Sequence, residues 1–430
     1  MEKKTIFGIK GPAWFSSLRH YDMIRGMGID YMHGVLLGIM KMLLSLWFDP
    51  VHNNEDFSIS SKLDEVDERL LSIKPPASIT RCPRSLSDRK HWKASELRSF
   101  LLFYSVPCLL NILPKLYLEH FVLLSEAIYI LLQESISQGE ISHAENLLIH
   151  FCLMMESLYG RRRLTANCHY LLHLADDVRD LGPLWTHSCF HFEDKNGFLL
   201  KLLHGTQKTE FQVVTAISLI QRIPEMASCL NPGSIAEKFY LTLQNISSPT
   251  REIVIEPNIY VLGAVQKYTL NEKEYAALTD ALQGSLPVGN EVVRSLRIRI
   301  GREVYHSESY TRVIRRNNCF IQYLDKTGQV SFAQIKFFFQ HTSDQFDVSG
   351  NEIILNFAMT YKLERLSEML VHDEITKSTA RQFIPINLSA DEKLFCIPIS
   401  KILNKCIPIV FKESKDKGYI VPFPNNCEKD

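Results

Sequence analysis

The chain has 430 residues, of which 46% are hydrophobic and 22% charged; 48 Lys plus Arg stand against 48 Asp plus Glu, for a formal net charge of zero. That length calls for two or three domains, and the balance excludes a disordered chain. Zero net charge excludes a globally basic nucleic-acid binder, so any surface for nucleic acid must be local, with acidic residues gathered elsewhere.

Ten cysteines are scattered without a Cys-x-x-Cys pair or a regular spacing. They read as reduced thiols of a nuclear or cytoplasmic protein, most of them small hydrophobes in apolar surroundings. No apolar signal core follows Met1-Glu-Lys-Lys-Thr. The longest apolar stretches are 34–48, interrupted by Lys41, and 121–132, interrupted by Glu126. Both are too short to cross a membrane and read as buried helices.

Residues 1–30 are rich in Gly and aromatics and read as loop with at most one strand. Over 31–48 the apolar residues Met32, Val35, Leu36, Ile39, Met40, Leu43, Leu44 and Trp47 keep helical spacing. A polar linker with Asn53-Asn54 follows, then a short amphipathic helix over 61–72, closed by Pro75-Pro76. A basic loop runs from Arg81 to Lys93, through Arg84, Arg89, Lys90, His91 and Trp92. Helices are predicted over 95–104, 116–134, 140–159, 165–179, 187–203 and 210–223, with no fixed repeat. After about residue 245 the texture becomes β-branched and aromatic, punctuated by Gly, Asn and Asp. Strands are predicted at 253–257, 295–301, 319–324, 330–339, 352–357 and 407–411, with Asp325-Lys-Thr-Gly328 as a hairpin turn. The polar tail 422–430 is expected to be loose.

Two segments carry residue types suited to chemistry. In Gly28-Ile-Asp30-Tyr-Met-His33-Gly34 an aspartate stands at the mouth of a helix. Its plain role is an N-cap favoured by the helix dipole, with His33 in the first turn. In the second segment His169 and His173 are four apart and share a helix face, a zinc-like spacing, but Tyr170 stands where a zincin has its glutamate. A packed, hydrogen-bonded histidine pair is the plainer expectation. Glu193 and Asp194 then open a helix among His191, Phe192 and Phe198; burial there would demand a partner or a metal.

Gly8-Ile-Lys-Gly11-Pro-Ala-Trp14, Asp30-Tyr-Met-His33-Gly, Trp92-Lys-Ala-Ser-Glu96-Leu-Arg98-Ser-Phe, Asn167-Cys-His169-Tyr-Leu-Leu-His173-Leu, Gly182-Pro183 and Phe192-Glu193-Asp194 occur in this order. The ordered set resembles the C-terminal portion of CACTA-type DNA transposases and the related transposase-domain proteins of animal genomes, over roughly residues 8–225. The resemblance implies an RNase H-like catalytic domain. Its Asp-Asp-Glu carboxylates hold two divalent ions that activate water, and then the freed 3′ hydroxyl, for attack on phosphate. By resemblance Glu193 is the glutamate of that set. Asp30 and His33 match the family's Asp-x-x-His signature, with His169 and His173 among the matched motifs. The helical span between them is the insertion domain. Trp92 is there placed either to stack on a DNA base or to anchor a helix start.

Both catalytic aspartates of the family lie upstream of the Asp-x-x-His. Here the acids before Asp30 are Glu2 and Asp22, neither in a strand of the expected kind. Without those carboxylates Glu193 cannot hold the metals. The expectation is no cofactor in this chain alone, and Mg2+ only if another chain completes the set.

In the last third, Arg294, Arg297, Arg299, Arg302, Arg312, Arg315 and Arg316 stand among Tyr305, His306 and Tyr310, opposed within 294–316 by Glu303 and Glu308. Arg297 and Arg299 share one strand face, with Arg294 out of phase. Seven arginines against two acids suit a phosphate-binding patch; a β-edge protected by charge is the other reading.

The expected architecture is therefore α+β and multidomain. Residues 1–50 are a partial RNase H-like segment, 51–164 a large all-α insertion, and 165–225 the C-terminal helices of the RNase H-like domain. Residues 226–289 connect to a small β-barrel or sandwich at 290–425. The expected function is that of a transposon-derived, DNA-associated protein that does not cleave DNA alone. Two alternatives stand beside it: a metal-dependent strand transferase completed by a partner chain, and a protein-interaction module without chemistry. The expected partners are duplex DNA and, as an oligomer, a full-length transposase.

Overall fold

A computed structural model describes residues 11, 14–23, 25–243, 252–282, 287, 289–346, 350, 352–368, 370–371, 375–388, 393–414 and 417–428. Glu2 and most of the motif from Gly8 to Trp14 lie outside them. The chain forms two compact units: Met1–Cys189 with Arg365–Leu388 and Ile407–Asp430, and Phe190–Glu364 with Ser389–Cys406. The class is α+β, a helical region followed by antiparallel sheets. Among the described residues the sheets do not close into the expected barrel. Residues 14–48 and 165–225 contain helices and, among those described, no strand, so the sheet of an RNase H-like fold has no counterpart there. No helix among the described residues is long and apolar enough to cross a membrane.

The first unit is built on the apolar periodicity of its helices. Met32–Met40 buries Met32, Val35, Leu36, Ile39 and Met40, and Lys41–Phe48 continues it with Leu43, Leu44, Leu46, Trp47 and Phe48. The first of these is wound as a π-helix, as is Phe100–Tyr104, a rare geometry. Trp47 meets Phe121 edge-on at 5.1 Å, and its indole N–H donates to Tyr159 Oη at 3.3 Å. Those two partners lie on Lys115–Leu131 and Gln138–Tyr159, the central helices. Gln138–Tyr159 starts at a Ser137/Glu140 capping box.

Glu126, the charge that interrupts the 121–132 stretch, is 1% exposed. Its Oε2 accepts from Ser378 Oγ at 2.8 Å, the Thr379 amide at 3.0 Å and the Ala380 amide at 2.9 Å. It thereby fixes a segment in which Lys377 and Ala380 adopt positive φ, conformations that non-glycine residues hold only under constraint. Within the same unit Ile384–Asn387 pairs antiparallel with Lys417–Pro422. The tail is not loose as far as it is described. The Pro422 carbonyl accepts from Tyr129 Oη at 3.1 Å, Phe423 packs on Phe103, and Asn425 Nδ2 donates to the Leu132 carbonyl at 2.8 Å. Glu428 is buried against Arg98 at 3.2 Å and accepts from the Tyr31 hydroxyl.

Cys189–Lys201, which begins on the last residue of the first unit's N-terminal segment, and Thr209–Ser228 and Ile235–Leu243 of the second unit are helices without a single buried residue. A four-stranded antiparallel sheet follows in the order Glu252–Glu256, Ile259–Leu262, Arg297–Ile300, Glu303–His306. A larger antiparallel sheet centres on Val330–Phe346, which pairs with Phe320–Leu324, Glu291–Ser295 and Glu352–Lys362. Helix Glu272–Ala281 covers one face of it through Ala277 and Leu278 against Phe337, Phe339, Phe357 and Met359. The hairpin at 325–328 is as expected. Gly328 has φ +79°, and the Asp325 carboxylate accepts from the Thr327 amide and hydroxyl and from the Gln329 amide.

Candidate functional site

Asp30 is an N-cap. Its Oδ2 accepts from the His33 amide at 3.0 Å and its Oδ1 from the Met32 amide at 3.3 Å, while the His33 Nδ1 lies 2.5 Å from Oδ2. It also reaches across the chain, for Oδ1 accepts the Cys189 amide at 2.9 Å. A second aspartate repeats the device, with Asp177 Oδ2 accepting the Ile29 amide at 2.7 Å. The 29–33 turn is thus held by two carboxylates. Gly28 lies close beside it: a Cβ there would lie 2.7 Å from Leu181 Cδ1 and 2.8 Å from His187 Cδ2, so those side chains would have to shift.

Burial works against the charge on Asp30, but hydrogen bonds from the Cys189 amide, the His33 ring and the His33 and Met32 amides outweigh it and hold the carboxyl below the usual range. Asp177 goes the other way, raised by burial against the pull of the Ile29 amide. Burial also lowers His187, despite the nearby charges of Asp177 and Asp30.

Asp30, His33 and Cys189 have ligand atoms within 4.8 Å of one another, the only such group among the described residues. The donor set is one carboxylate, one imidazole and one thiol. It does not fit the Mg2+ pair that the resemblance implies, which needs several hard oxygen ligands. Both Asp30 oxygens are moreover already occupied by hydrogen-bond donors. A softer ion such as Zn2+ matches the donor types.

His169 and His173 pair with each other, Nε2 to Nε2 at 3.3 Å, with rings edge-on at 4.9 Å. Both are exposed, so they are paired without being packed in a core. Glu193 and Asp194 lie on the exposed surface of Cys189–Lys201, where the adjoining Phe192 is 66% exposed. The burial that would demand a partner or a metal is absent, and among the described residues Glu193 belongs to no group of possible metal ligands. Trp92 is 5% exposed, donates its indole N–H to the Ser85 carbonyl at 3.2 Å and packs on Phe100. It anchors the start of helix Ala94–Ser99, and its ring is not available for a base.

The arginines of 294–316 fall into two sets. Arg299 is bound through two nitrogens to Glu252, at 3.2 and 2.7 Å, over the Tyr260 ring at 3.9 Å. Arg297 lies over Tyr310 at 4.8 Å, and Arg294 over Tyr268 and Phe337. These three are held by their neighbours. Arg302, Arg312 and Arg315 are exposed and Arg316 half-buried. Strand Arg297–Ile300 is paired on both sides, by Ile259–Leu262 and Glu303–His306, so Arg297 and Arg299 do not guard a free β-edge, whereas Arg302 lies next to the edge strand Glu303–His306. Burial, with Arg297 and Lys405 behind it, drives His306 down to about 4, so it stays neutral near pH 7 and adds no charge of its own.

Cys189, Asp177 and His187 carried no spacing signal. They meet the 29–33 turn through contacts some 150 residues apart in the chain, of which Asp177 to Ile29 is 148 and Cys189 to Asp30 is 159. Comparison with protein-family models, curated proteins and solved structures found no match.

Proposed function

We propose that this chain is a transposon-derived, transposase-like protein that associates with duplex DNA and does not cleave it alone. The observation that carries the reading is the arginine span 294–316, seven guanidinium groups on one folded β unit, with Arg302, Arg312 and Arg315 turned to solvent. Guanidinium groups meet phosphate oxygens in a planar, two-point geometry, and such contacts position a protein on DNA without reading sequence. Two of the inner arginines stack on tyrosines, while Arg302 lies in the turn before Glu303–His306 and Arg312 and Arg315 in the loop before Phe320–Leu324. In this reading residues 1–50 and 165–225 derive from an RNase H-like domain, and 51–164 from its helical insertion. Mg2+ would enter only with carboxylates from another chain, such as a full-length transposase. Ten thiols, none in a disulfide among the described residues, suit a nuclear or cytoplasmic setting.

The test replaces Arg302, Arg312 and Arg315 together by Ala and measures duplex binding by mobility shift. The circular dichroism spectrum of the variant is compared with that of the wild type to check the fold. The reading expects duplex affinity to fall by about tenfold or more. Unchanged affinity would remove the arginine span from the interface.

One observation favours the protein-interaction alternative. Phe211, Val214, Leu219 and Met226 on Thr209–Ser228, and Ile235, Phe239 and Leu243 on Ile235–Leu243, are each more than 60% exposed. Helices of this kind draw their stability from covering an apolar face. If that alternative is the right one, duplex DNA fails to bind while Leu219→Lys and Met226→Lys together reduce self-association or partner binding in sedimentation.

A further inference from the structure

We propose that a groove on the larger sheet of the second unit binds a nucleotide unit: a flat base together with its phosphate. The groove encloses about 650 Å³, within the range of small-molecule sites. It is bounded by the 325–327 turn, the end of Glu352–Lys362 and the strand Leu394–Pro398 with the residues after it.

Its charge is lopsided. Lys326, Lys362, Lys393 and Lys401 line it, all with exposed side chains, against Asp325 as the single acid among the described residues. That carboxylate is already engaged, accepting from the Thr327 amide and hydroxyl, the Gln329 amide and the Ser331 hydroxyl. Lys326 Nζ donates to the Asp280 carbonyl at 2.9 Å, a neutral acceptor. Among the described residues none of the four ammonium groups has a carboxylate partner. Lys336 and Lys405 of the same unit do, on Glu274 and Glu303. Scattered surface lysines are ordinary, but four drawn from separate stretches of sequence around one concavity make a focused positive field.

Two aromatic rings line the groove as well. Phe395 is half-buried and its ring lies 5.6 Å from that of Tyr323, tilted by 40°. Phe395 sits opposite Thr360, whose hydroxyl donates to the Phe395 carbonyl at 3.0 Å, so its backbone is fixed by the strand ladder. A ring beside four lysines in one groove offers a stacking surface and a phosphate cradle together. Inorganic phosphate would use only the lysines, and an uncharged aromatic only the ring; a nucleotide uses both. A paired duplex cannot insert a base into such a groove, so the ligand is a free nucleoside phosphate or an unpaired nucleotide of a strand. This site shares no residue with the arginine span and goes beyond the duplex-binding reading.

The experiment is isothermal titration of the full chain with four probes: deoxyadenosine triphosphate, an octamer of thymidylate, inorganic tripolyphosphate and deoxyadenosine. The proposal expects the triphosphate or the octamer to bind about tenfold or more tighter than either half-ligand. Binding of the triphosphate assigns a free nucleotide; binding of the octamer alone assigns a strand. Lys362→Glu with Lys393→Glu weakens binding of the charged probes. Phe395→Leu weakens only the probes that carry a base, with the circular dichroism spectrum unchanged in both variants. Removing Arg302, Arg312 and Arg315 leaves this binding intact, so the site can fail or stand apart from duplex binding. Equal affinity for tripolyphosphate and the nucleotide, or no binding of either nucleotide probe, overturns the proposal.

Discussion

Replacing Glu126 by Ala removes the acceptor that holds residues 378–380 against helix Lys115–Leu131. Three donors lose their partner: the Ser378 hydroxyl and the Thr379 and Ala380 amides. Ser378 and Ala380 are fully buried and Thr379 half-buried, so water can reach at most one of the three. A buried donor left unpaired costs about 1–3 kcal/mol. The sum, relieved by partial hydration at Thr379, comes to about 4 kcal/mol. Glu126→Gln is the informative control. All three donors use Oε2, while Oε1 faces only His143 at 3.4 Å, so an amide that places its carbonyl at the Oε2 position keeps every bond and costs about 1 kcal/mol. Because a chain of two units need not unfold in one step, the local readout is amide hydrogen exchange at Thr379 and Ala380, beside urea unfolding followed by far-UV circular dichroism. The reasoning is refuted if Glu126→Ala exchanges these amides at the wild-type rate, or if Gln and Ala cost the same.

Other perturbations are equally direct. His120 stacks on Phe151 at 4.2 Å and its Nε2 donates to the Phe151 carbonyl at 2.9 Å, leaving Nδ1 buried with no partner. Burial lowers its pKa from 6.5 to about 4. The unfolded chain therefore takes up the proton first: the contribution is complete above pH 6.5 and about 3 kcal/mol is lost as pH falls to 4, a slope that His120→Phe removes from urea unfolding measured across that window. Cys152 and Cys168 have sulfur atoms 3.7 Å apart, and the hydrogen bond between the two thiols lowers Cys168; hydrogen peroxide should join them as a disulfide with release of water, visible by mass spectrometry and abolished by Cys152→Ser. Trp92→Ala, which empties a buried ring site beside Phe100, should cost about 3–5 kcal/mol in urea unfolding, whereas a ring reserved for DNA would cost little. Supercoiled plasmid incubated with the chain and Mg2+ should stay unnicked, for wild type and Glu193→Gln alike; nicking lost in the variant would restore the strand-transferase reading.

Much of the first unit is legible in the sequence because it is local. The apolar spacing of 31–48 gives a helix there, and Asp30 ahead of it gives an N-cap; both are present. Spacing cannot announce the π winding of Met32–Met40, which changes hydrogen-bond register without changing the buried face. Long-range acceptors are hidden for a different reason. Nothing around Glu126 points 252 residues ahead to Ser378. Nor does the polar composition of the tail disclose that Glu428 is buried against Arg98 and Tyr31. Arg299 shows the same limit at the candidate interface, since its charge is legible but its engagement by Glu252, 47 residues upstream, is not. The four lysines of the groove carry no motif at all, because the turn, the strand ends and the residues between them bring them together only in the fold.

The central claim is association with duplex DNA through phosphate contacts. Its most direct test is the fluorescence anisotropy of a labelled duplex titrated with the wild-type chain across a salt series. The account predicts binding that weakens linearly in logarithmic salt, with a slope of about two or more from Arg302 and Arg312 alone. Absence of binding at low salt, or an affinity indifferent to salt, would contradict it.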